Sequence, residues 1–170
     1  MIIFGGLFNG LWIIFIGWFI KSGAEAGLSQ TTISQALAGT TVGEIMSKDV
    51  VTVDHDLSLE ELVRDYFLIR KFAGYPVLRD GVAVGLITMD RVKDVPRELW
   101  KNTIVGKVMK PLMELAIVEP DTPASDAMYK MSRCETGRVL VIDRTGLRGM
   151  VSNRDFAHLI KIKTEFEKNP

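Results

Sequence analysis

The sequence predicts an α/β (α+β) fold in which two βαββα repeats are related by a pseudo-twofold axis and are preceded by one transmembrane helix. The stretch Gly-Met-Val-Ser-Asn-Arg-Asp at 149–155 follows a strand pattern and opens a helix. A weaker copy, Gly-Leu-Ile-Thr-Met-Asp, occurs at 85–90 in the first half of the chain. Residues 1–20 are almost entirely apolar, unlike the remainder of the sequence.

Residues 1–21 are predicted to form the transmembrane helix. Asn9 is the one clearly polar side chain before Lys21, and about 20 apolar residues suffice to cross the hydrocarbon core of a bilayer. A signal peptide is the alternative, although no basic residue opens the segment. Because Lys21 follows the apolar run and no Lys or Arg precedes it, the positive-inside rule predicts a membrane protein whose body lies on the cytoplasmic side.

Residues 22–40 are predicted to form a helical connector, which Gly39 can end. At the other end of the chain, residues 164–170 carry several charges and are predicted to form a solvated tail. The predicted domains between these segments are the two repeats, 41–102 and 103–163.

The two repeats echo each other element by element. Each opens with a Gly-x-x-Met sequence, at 43–46 and 106–109. A short strand (50–53 or 115–118), a helix, two further strands joined by a turn and a final helix follow in each repeat. Because one repeat alone would leave a sheet face bare, the two are predicted to pack against each other.

Composition excludes several classes of function. Lys plus Arg and Asp plus Glu both number 21, so the formal charge is zero, and we predict no nucleic-acid partner because such binding needs a strong basic field. The single cysteine, Cys134, excludes an internal disulfide. The two histidines, His55 and His158, lie far apart and no His-Glu-x-x-His is present, so we predict no metal site and no catalytic cofactor on this chain.

The second loop of the repeated pattern is the main candidate site. Gly149 is predicted to let a ligand approach the backbone, and Ser152 lies at a helix N-terminus, where N–H groups and the helix dipole favour phosphate. Asp155 comes one helical turn later and can accept hydrogen bonds from a ribose diol. The alternative is that Ser-x-x-Asp is a plain helix-capping arrangement.

These motifs, with the strand Gly-Tyr-Pro-Val-Leu at 74–78, make residues 41–163 resemble a tandem pair of cystathionine-beta-synthase (CBS) domains, a Bateman module. The resemblance implies a regulatory adenine nucleotide (AMP, ADP or ATP) bound between the repeats, dimerisation through the repeats into a homodimer, and no catalysis by the module. Its ribose-phosphate motif, Gly-h-h-Thr/Ser-x-x-Asp, is matched by Gly149, Ser152 and Asp155. Arg138 matches a position where relatives place a phosphate-binding arginine, whose planar fork suits phosphate.

The first repeat departs from this motif. Thr88 is present, but Arg91 stands where the acid is expected and Asp90 precedes it by one residue, which turns the carboxylate about 100° around a helix. We assign Tyr75 to the position of the arginine. Thr88 and Asp90 are therefore predicted to form a weak second site at most. The side chains that can add positive charge for a longer phosphate chain are Lys107, Lys110 and Arg154.

Residues 1–40 resemble the C-terminal end of the site-2 protease family, which consists of intramembrane zinc metallopeptidases. The resemblance depends on the apolar Gly-Leu-Trp-Ile-Ile-Phe-Ile-Gly-Trp-Phe-Ile at 10–20 and on a short connector with Leu37 and Gly39. It implies a membrane-embedded protease domain as parent or partner. The catalytic motifs of that family, His-Glu-x-x-His and an Asn-Pro-x-x-Gly-like stretch, do not occur in this sequence.

The sequence thus predicts a membrane-anchored regulatory module that binds an adenine nucleotide and modulates a membrane partner or a parent protease. One alternative is a C-terminal fragment of a site-2-type zinc metalloprotease. The other is a dimerisation or docking module that binds no nucleotide.

Overall fold

The computed structural model describes residues 37–167. The predicted transmembrane helix (1–21), residues 22–36 of the predicted connector and residues 168–170 of the tail lie outside the described residues, so the predictions made for them stay predictions. Between residues 37 and 167, no helix has both the length and the apolar character that crossing a membrane requires.

Each half of the described chain contains a short opening helix, strands, a longer helix and a closing helix. In the first half these are α1 (Val42–Ile45), β1 (Val53–Asp54), α2, β2 (Gly74–Arg79), β3 (Val82–Thr88) and α3 (Met89–Lys93). Helix α2 is continuous through Leu59–Glu61, a π-helical stretch at Leu62–Phe67, and Leu68–Arg70. A 3₁₀ segment, Arg97–Asn102, joins the halves.

The second half repeats this order. It contains α4 (Val105–Val108), β4 (Lys110–Pro111), a 3₁₀ turn (Leu112–Glu114), β5 (Ala116–Val118), α5 (Ala124–Ser132), β6 (Arg138–Asp143), β7 (Gly146–Ser152) and α6 (Asn153–Glu167). The predicted strands and helices are therefore present, although the strand predicted at 50–53 is confined to Val53 and Asp54.

Local chemistry explains where these elements begin and turn. Ser58 starts α2, because its Oγ accepts from the Glu61 N–H (3.2 Å) while the Glu61 carboxylate accepts from the Ser58 N–H (3.2 Å) and hydroxyl (2.7 Å). The turn between β2 and β3 has two residues with positive φ, Asp80 (51°) and Gly81 (79°). Two such residues give the backbone twist that a tight hairpin requires.

The strands form two separate sheets. The first has the order β1-β2-β3-β4 and the second has the order β5-β6-β7. In each, a parallel pair (β1 with β2, β5 with β6) is followed by an antiparallel hairpin. Strand β4 pairs with β3 at Leu86 and Lys110, and Ser47 forms the corresponding single bridge to Met150 of β7. Each sheet therefore receives its edge from the opening segment of the other repeat.

The hydrophobic cores show the same exchange. Val42, from the opening of the first repeat, is fully buried in the core of the second, and Val105 is fully buried in the core of the first. The Gly43 N–H donates to the Pro120 carbonyl (2.7 Å), and the Gly106 N–H donates to the His55 carbonyl (2.9 Å). These contacts recur with the two repeats interchanged, as a pseudo-twofold relation requires.

Candidate functional site

A cavity of about 530 Å³ lies between the two halves of the module. The first half contributes Ser47, the stretch 49–51 before β1 and the stretch 71–74, which joins α2 to the first residue of β2. The second half contributes Met150, the stretch 136–138 at the start of β6 and the junction of β7 and α6. The site is therefore built by both repeats and depends on how they pack.

Three of the four residues predicted for the main site meet in this cavity: Arg138, Ser152 and Asp155. Arg138 pairs with Ser152 across the β6–β7 hairpin. Oδ2 of Asp155 accepts from the Ser152 N–H and from the Ser152 hydroxyl, both at 2.7 Å. The hairpin and the first turn of α6 thus bring a guanidinium, a hydroxyl and a carboxylate to one wall.

The Ser-x-x-Asp capping arrangement considered from the sequence is present. Both hydrogen bonds from Ser152 use Oδ2 of Asp155, and a carboxylate offers about four lone-pair sites on its two oxygens. Capping is therefore compatible with further hydrogen bonds to a ligand hydroxyl, and the ribose-binding role of Asp155 stays a prediction.

Charge at this wall favours an anion. The Arg138 side chain is half-buried, and its Nη1 donates to the Thr136 carbonyl at 2.9 Å. Burial lowers the pKa of Arg138 from its ordinary value, while the carboxylates of Asp90 and Asp155 act in the opposite direction and Arg154 adds to the lowering. A guanidinium nevertheless stays protonated in proteins. Helix α6, 15 residues long, adds the partial positive charge of its N-terminus.

The fourth predicted residue, Gly149, lies where β7 packs against the opening segment of the first repeat. It does not line this cavity, and a Cβ at this position would lie 2.7 Å from the Ser47 carbonyl oxygen and 2.8 Å from Sδ of Met46. Gly85 is in the same situation, because a Cβ there would lie 2.5 Å from the Lys110 carbonyl oxygen. Both glycines admit the opening segment of the other repeat, and the approach of a ligand to the backbone at Gly149 stays a prediction.

The residues predicted for the weak second site do not line the cavity. Thr88 is buried at the start of α3, whereas the Asp90 side chain is 90% exposed and accepts from Nζ of Lys93 at 3.2 Å. Arg91, at the position equivalent to Asp155, donates from Nε to the Val108 carbonyl at 3.1 Å. The first repeat therefore presents a guanidinium where the second presents a carboxylate.

The assignment of Tyr75 to the arginine position is wrong by one residue. Gly74 faces Thr88 across the β2–β3 hairpin, just as Arg138 faces Ser152. The residue equivalent to Arg138 is therefore Gly74. Tyr75 is fully buried, and its hydroxyl donates to the Tyr66 carbonyl at 2.9 Å.

The model of the CBS domain family matches residues 42–98 and, a second time, residues 105–162. The chain belongs to the CBS domain family. The tandem CBS pair that the sequence predicts is thus confirmed. Rip3 of Mycobacterium tuberculosis, which carries the name of a zinc metalloprotease, is 30% identical over 160 residues, or 93% of this chain and 41% of Rip3. The chain spans about two fifths of the length of Rip3 and of a zinc metalloprotease of Methanocaldococcus jannaschii, to which it is 28% identical over 162 residues.

Solved CBS structures have the same fold. The CBS domain of the bacterial CNNM/CorC family Mg²⁺ transporter, solved in complex with ATP, gives a TM-score of 0.67 at 22% identity and covers 78% of this chain and 97% of its own. CBSX2 in complex with AMP gives a TM-score of 0.64 at 24% identity, covering 74% and 99%. These similarities show that the two repeats form a CBS pair.

Several residues that line the cavity of the CBS pair were missed from the sequence. Phe72 is 53% exposed, and its ring meets that of Tyr75 edge-on with 6.0 Å between centroids. Lys71 and Asp49 add one charge of each sign to the lining. No motif marks these residues, but the symmetry of the repeats could have indicated them. Residues 71–73 come directly before Gly74, and the equivalent residues 135–137 come directly before Arg138.

Of the three additional cations considered for phosphate, only Arg154 lines the cavity. Lys110 belongs to the edge strand β4, and its Nζ lies 3.7 Å from the Glu135 carboxylate. Lys107 is exposed on α4. Across residues 37–167, no three His, Cys, Asp or Glu side chains are grouped so as to hold a metal ion.

Proposed function

We propose that this CBS pair is a regulatory module that binds an adenine nucleotide in the cavity between its repeats. The observation that carries the proposal is the meeting of Arg138, Ser152 and Asp155 on one wall of a cavity of about 530 Å³. The solved relatives in complex with ATP and with AMP support an adenine nucleotide as the ligand class.

Each part of a nucleotide has a chemical counterpart in the cavity. Phosphate would lie at the N-terminus of α6 beside the Arg138 guanidinium, since helix N–H groups and a planar cation both favour phosphate oxygens. Ribose hydroxyls would donate to the Asp155 carboxylate. The base would contact the apolar part of the wall, formed by Val50, Val51, Phe72 and Met150.

The module is proposed to act on a membrane-embedded zinc metalloprotease, either its parent chain or a partner. Similarity to Rip3 over 93% of this chain and the apolar run at 1–20 support this context, with the module on the cytoplasmic side of the membrane. A ligand shifts such a system only as far as it binds its two states with different affinity. Protease activity is therefore expected to depend on nucleotide concentration.

Helix α6 offers a physical link between the cavity and the N-terminal part of the chain. Its first turn lines the cavity, and Nζ of Lys163, in its last third, donates to the Thr40 hydroxyl at 2.7 Å and to the Ala38 carbonyl at 3.3 Å. Gly39 between them has φ +71°, a conformation suited to ending a helix. A shift of α6 on nucleotide binding would thus reach the connector directly.

Dimerisation through the CBS repeats is part of the proposal. Helix α2 leaves Leu68 and Ile69 exposed, and α5, its counterpart in the second repeat, leaves Tyr129 exposed. Large apolar side chains on equivalent helices favour association with a second copy. Sedimentation of the full chain at several protein concentrations, compared with a Leu68→Asp, Ile69→Asp variant, tests whether this surface forms a homodimer.

Calorimetric titration of AMP, ADP and ATP into the full chain in a mild detergent tests the nucleotide proposal. We expect micromolar binding that is strongly weakened in Asp155→Ala. Glu61→Ala is the matched control, because Glu61 caps α2 with the same pair of hydrogen bonds from a serine. Loss of either cap costs about 1 kcal/mol of stability, but only Asp155→Ala should change nucleotide affinity.

Two results would overturn the nucleotide proposal. One is the absence of heat with all three nucleotides from a folded sample, which would leave a docking or dimerisation module. The other is an equal loss of affinity in Asp155→Ala and Glu61→Ala, which would mean that Asp155 acts through stability alone.

A further inference from the structure

The Arg138 side chain lies next to Gly74, which is the equivalent residue of the first repeat. A Cβ on Gly74 would be 3.4 Å from Nε of Arg138 and 3.3 Å from Cγ2 of Thr88. The charge of Asp90, also in the first repeat, acts on the Arg138 guanidinium. The side chain of Arg138 therefore extends across the interface between the repeats, into space that the missing side chain of Gly74 provides.

We propose that Gly74 is a positioning residue that makes this CBS pair a one-site module. Its missing side chain lets Arg138 lie across the pseudo-twofold axis, so that one guanidinium occupies the region where a symmetric pair would present two. The inference rests on the proposed nucleotide function and adds its stoichiometry, which is one phosphate-bearing ligand for each chain.

The backbone at position 74 does not itself require glycine. Gly74 is an ordinary residue of strand β2 and is not among the glycines with positive φ, so an L-residue can adopt its conformation. Space is the constraint, because a Cβ would also lie 3.1 Å from the Ile87 carbonyl oxygen. Alanine needs small local adjustments, whereas the two methyl groups of valine must displace either the Arg138 side chain or the neighbouring strand.

A double-mutant cycle on the full chain, read by calorimetric titration of AMP, tests this inference. The four proteins are the natural chain, Gly74→Val, Arg138→Met and the double variant. Arg138→Met should weaken AMP binding by about tenfold or more, because it removes the free energy of a hydrogen bond between a charged group and the phosphate. Gly74→Val should weaken it to a similar extent, and the double variant should bind no more weakly than Arg138→Met.

The cycle separates positioning from general packing. If Gly74→Val weakens AMP binding by the same factor with and without Arg138, it acts through the strand, and the inference is overturned. Two AMP molecules bound for each natural chain would also overturn it. If Gly74→Val does not fold, Gly74→Ala replaces it, with a smaller loss of affinity that must again vanish in the Arg138→Met background.

A second readout does not depend on nucleotide. The Nε–Hε NMR resonance of Arg138, assigned by its absence from Arg138→Met, should shift in the nucleotide-free Gly74→Ala variant. It should not shift in Gly81→Ala, at the hairpin turn. An unmoved resonance in Gly74→Ala overturns the inference. If the natural chain binds none of the three nucleotides, the proposed function fails, and the resonance still decides whether Gly74 sets the position of Arg138.

Discussion

The two CBS repeats share one backbone plan and differ in the side chains at three equivalent positions around the hairpin and the following helix. In the second repeat these residues are Arg138, Ser152 and Asp155. In the first repeat they are Gly74, Thr88 and Arg91. Only the second set lines the cavity as a whole. Duplication of a fold therefore does not duplicate the lining of a cavity, because the guanidinium of Arg138 and the carboxylate of Asp155 belong to individual side chains that the first repeat lacks.

The largest expected effect is on stability, and it concerns a feature that both repeats share: a glycine packed against the opening segment of the other repeat. Gly85→Ala and Gly149→Ala should each destabilise the module by about 2–3 kcal/mol, since each places a Cβ against the backbone of the other repeat's opening segment. Urea unfolding gives the free energy, and Lys161→Ala on the exposed face of α6 is the control. If one of the two substitutions left the free energy of unfolding unchanged, the two contacts between glycine and opening segment would not be equivalent.

The next effect concerns the wall that the first repeat contributes to the cavity. Phe72→Ala should weaken AMP binding by about tenfold, because stacking of a base on an aromatic ring is worth 1–3 kcal/mol. Leu99→Ala is the matched control, since Leu99 is exposed in the 3₁₀ segment to a similar extent but does not line the cavity. Calorimetry that finds the same affinity in both variants would remove Phe72 from the site.

A smaller effect is expected when the motif of the first repeat is restored. Arg91→Asp creates Thr-x-x-Asp at 88–91, but Gly74 still supplies no guanidinium, so we expect the stoichiometry of AMP to remain one for each chain. Stability should fall by about 1 kcal/mol or less, because the hydrogen bond from Arg91 to Val108 is lost. A second equivalent of bound AMP would show that the carboxylate alone decides which repeat binds.

The smallest expected effect is a difference between the equivalent helices α2 and α5 in how acid affects their first turns. Hydrogen bonds from the Ser58 hydroxyl and then from its N–H lower the pKa of Glu61 below 4.5, whereas Pro123 begins the equivalent helix α5 without such a donor. Because the folded pKa is depressed, this stabilisation is complete above the unfolded value and is lost as pH falls through the folded value.

Carboxyl NMR measures this titration directly. In Ser58→Ala the pKa of Glu61 should rise toward 4.5. Glu44, whose pKa is lowered by hydrogen bonds from Thr41, should titrate unchanged in the same variant. A Glu61 pKa that does not respond to Ser58→Ala would contradict the capping explanation.

Contacts that are local along the chain could be predicted from the sequence. Arg138, Ser152 and Asp155 meet because one hairpin and one helical turn join them, and the pattern of strands, turn glycines and polar caps shows both elements. The same local pattern predicted the element order of each repeat, which the CBS family match and the solved relatives confirm.

The slip at Tyr75 has a physical cause. Gly74 and Gly137 look like equivalent helix ends in the sequence, but only Gly137 has positive φ, and Gly74 already belongs to strand β2. The register of that strand is set by the pairing of Gly74 with Thr88. The presence of a glycine before the strand in both repeats does not determine this register. The packing of Gly149 against Ser47 and the lining of the cavity by Phe72 could not be predicted for another reason, because they depend on contacts between the repeats that periodicity does not reveal.

The exchanged opening segments have a consequence for how the molecule comes apart. Cleavage of the 3₁₀ segment Arg97–Asn102 would separate the chain between its sequence repeats, yet Val42 would remain in the core of the second fragment and Val105 in the core of the first. The two pieces are therefore expected to stay together as a nicked complex. Because each core is completed by the other repeat, we expect the pair to be the smallest unit that folds stably.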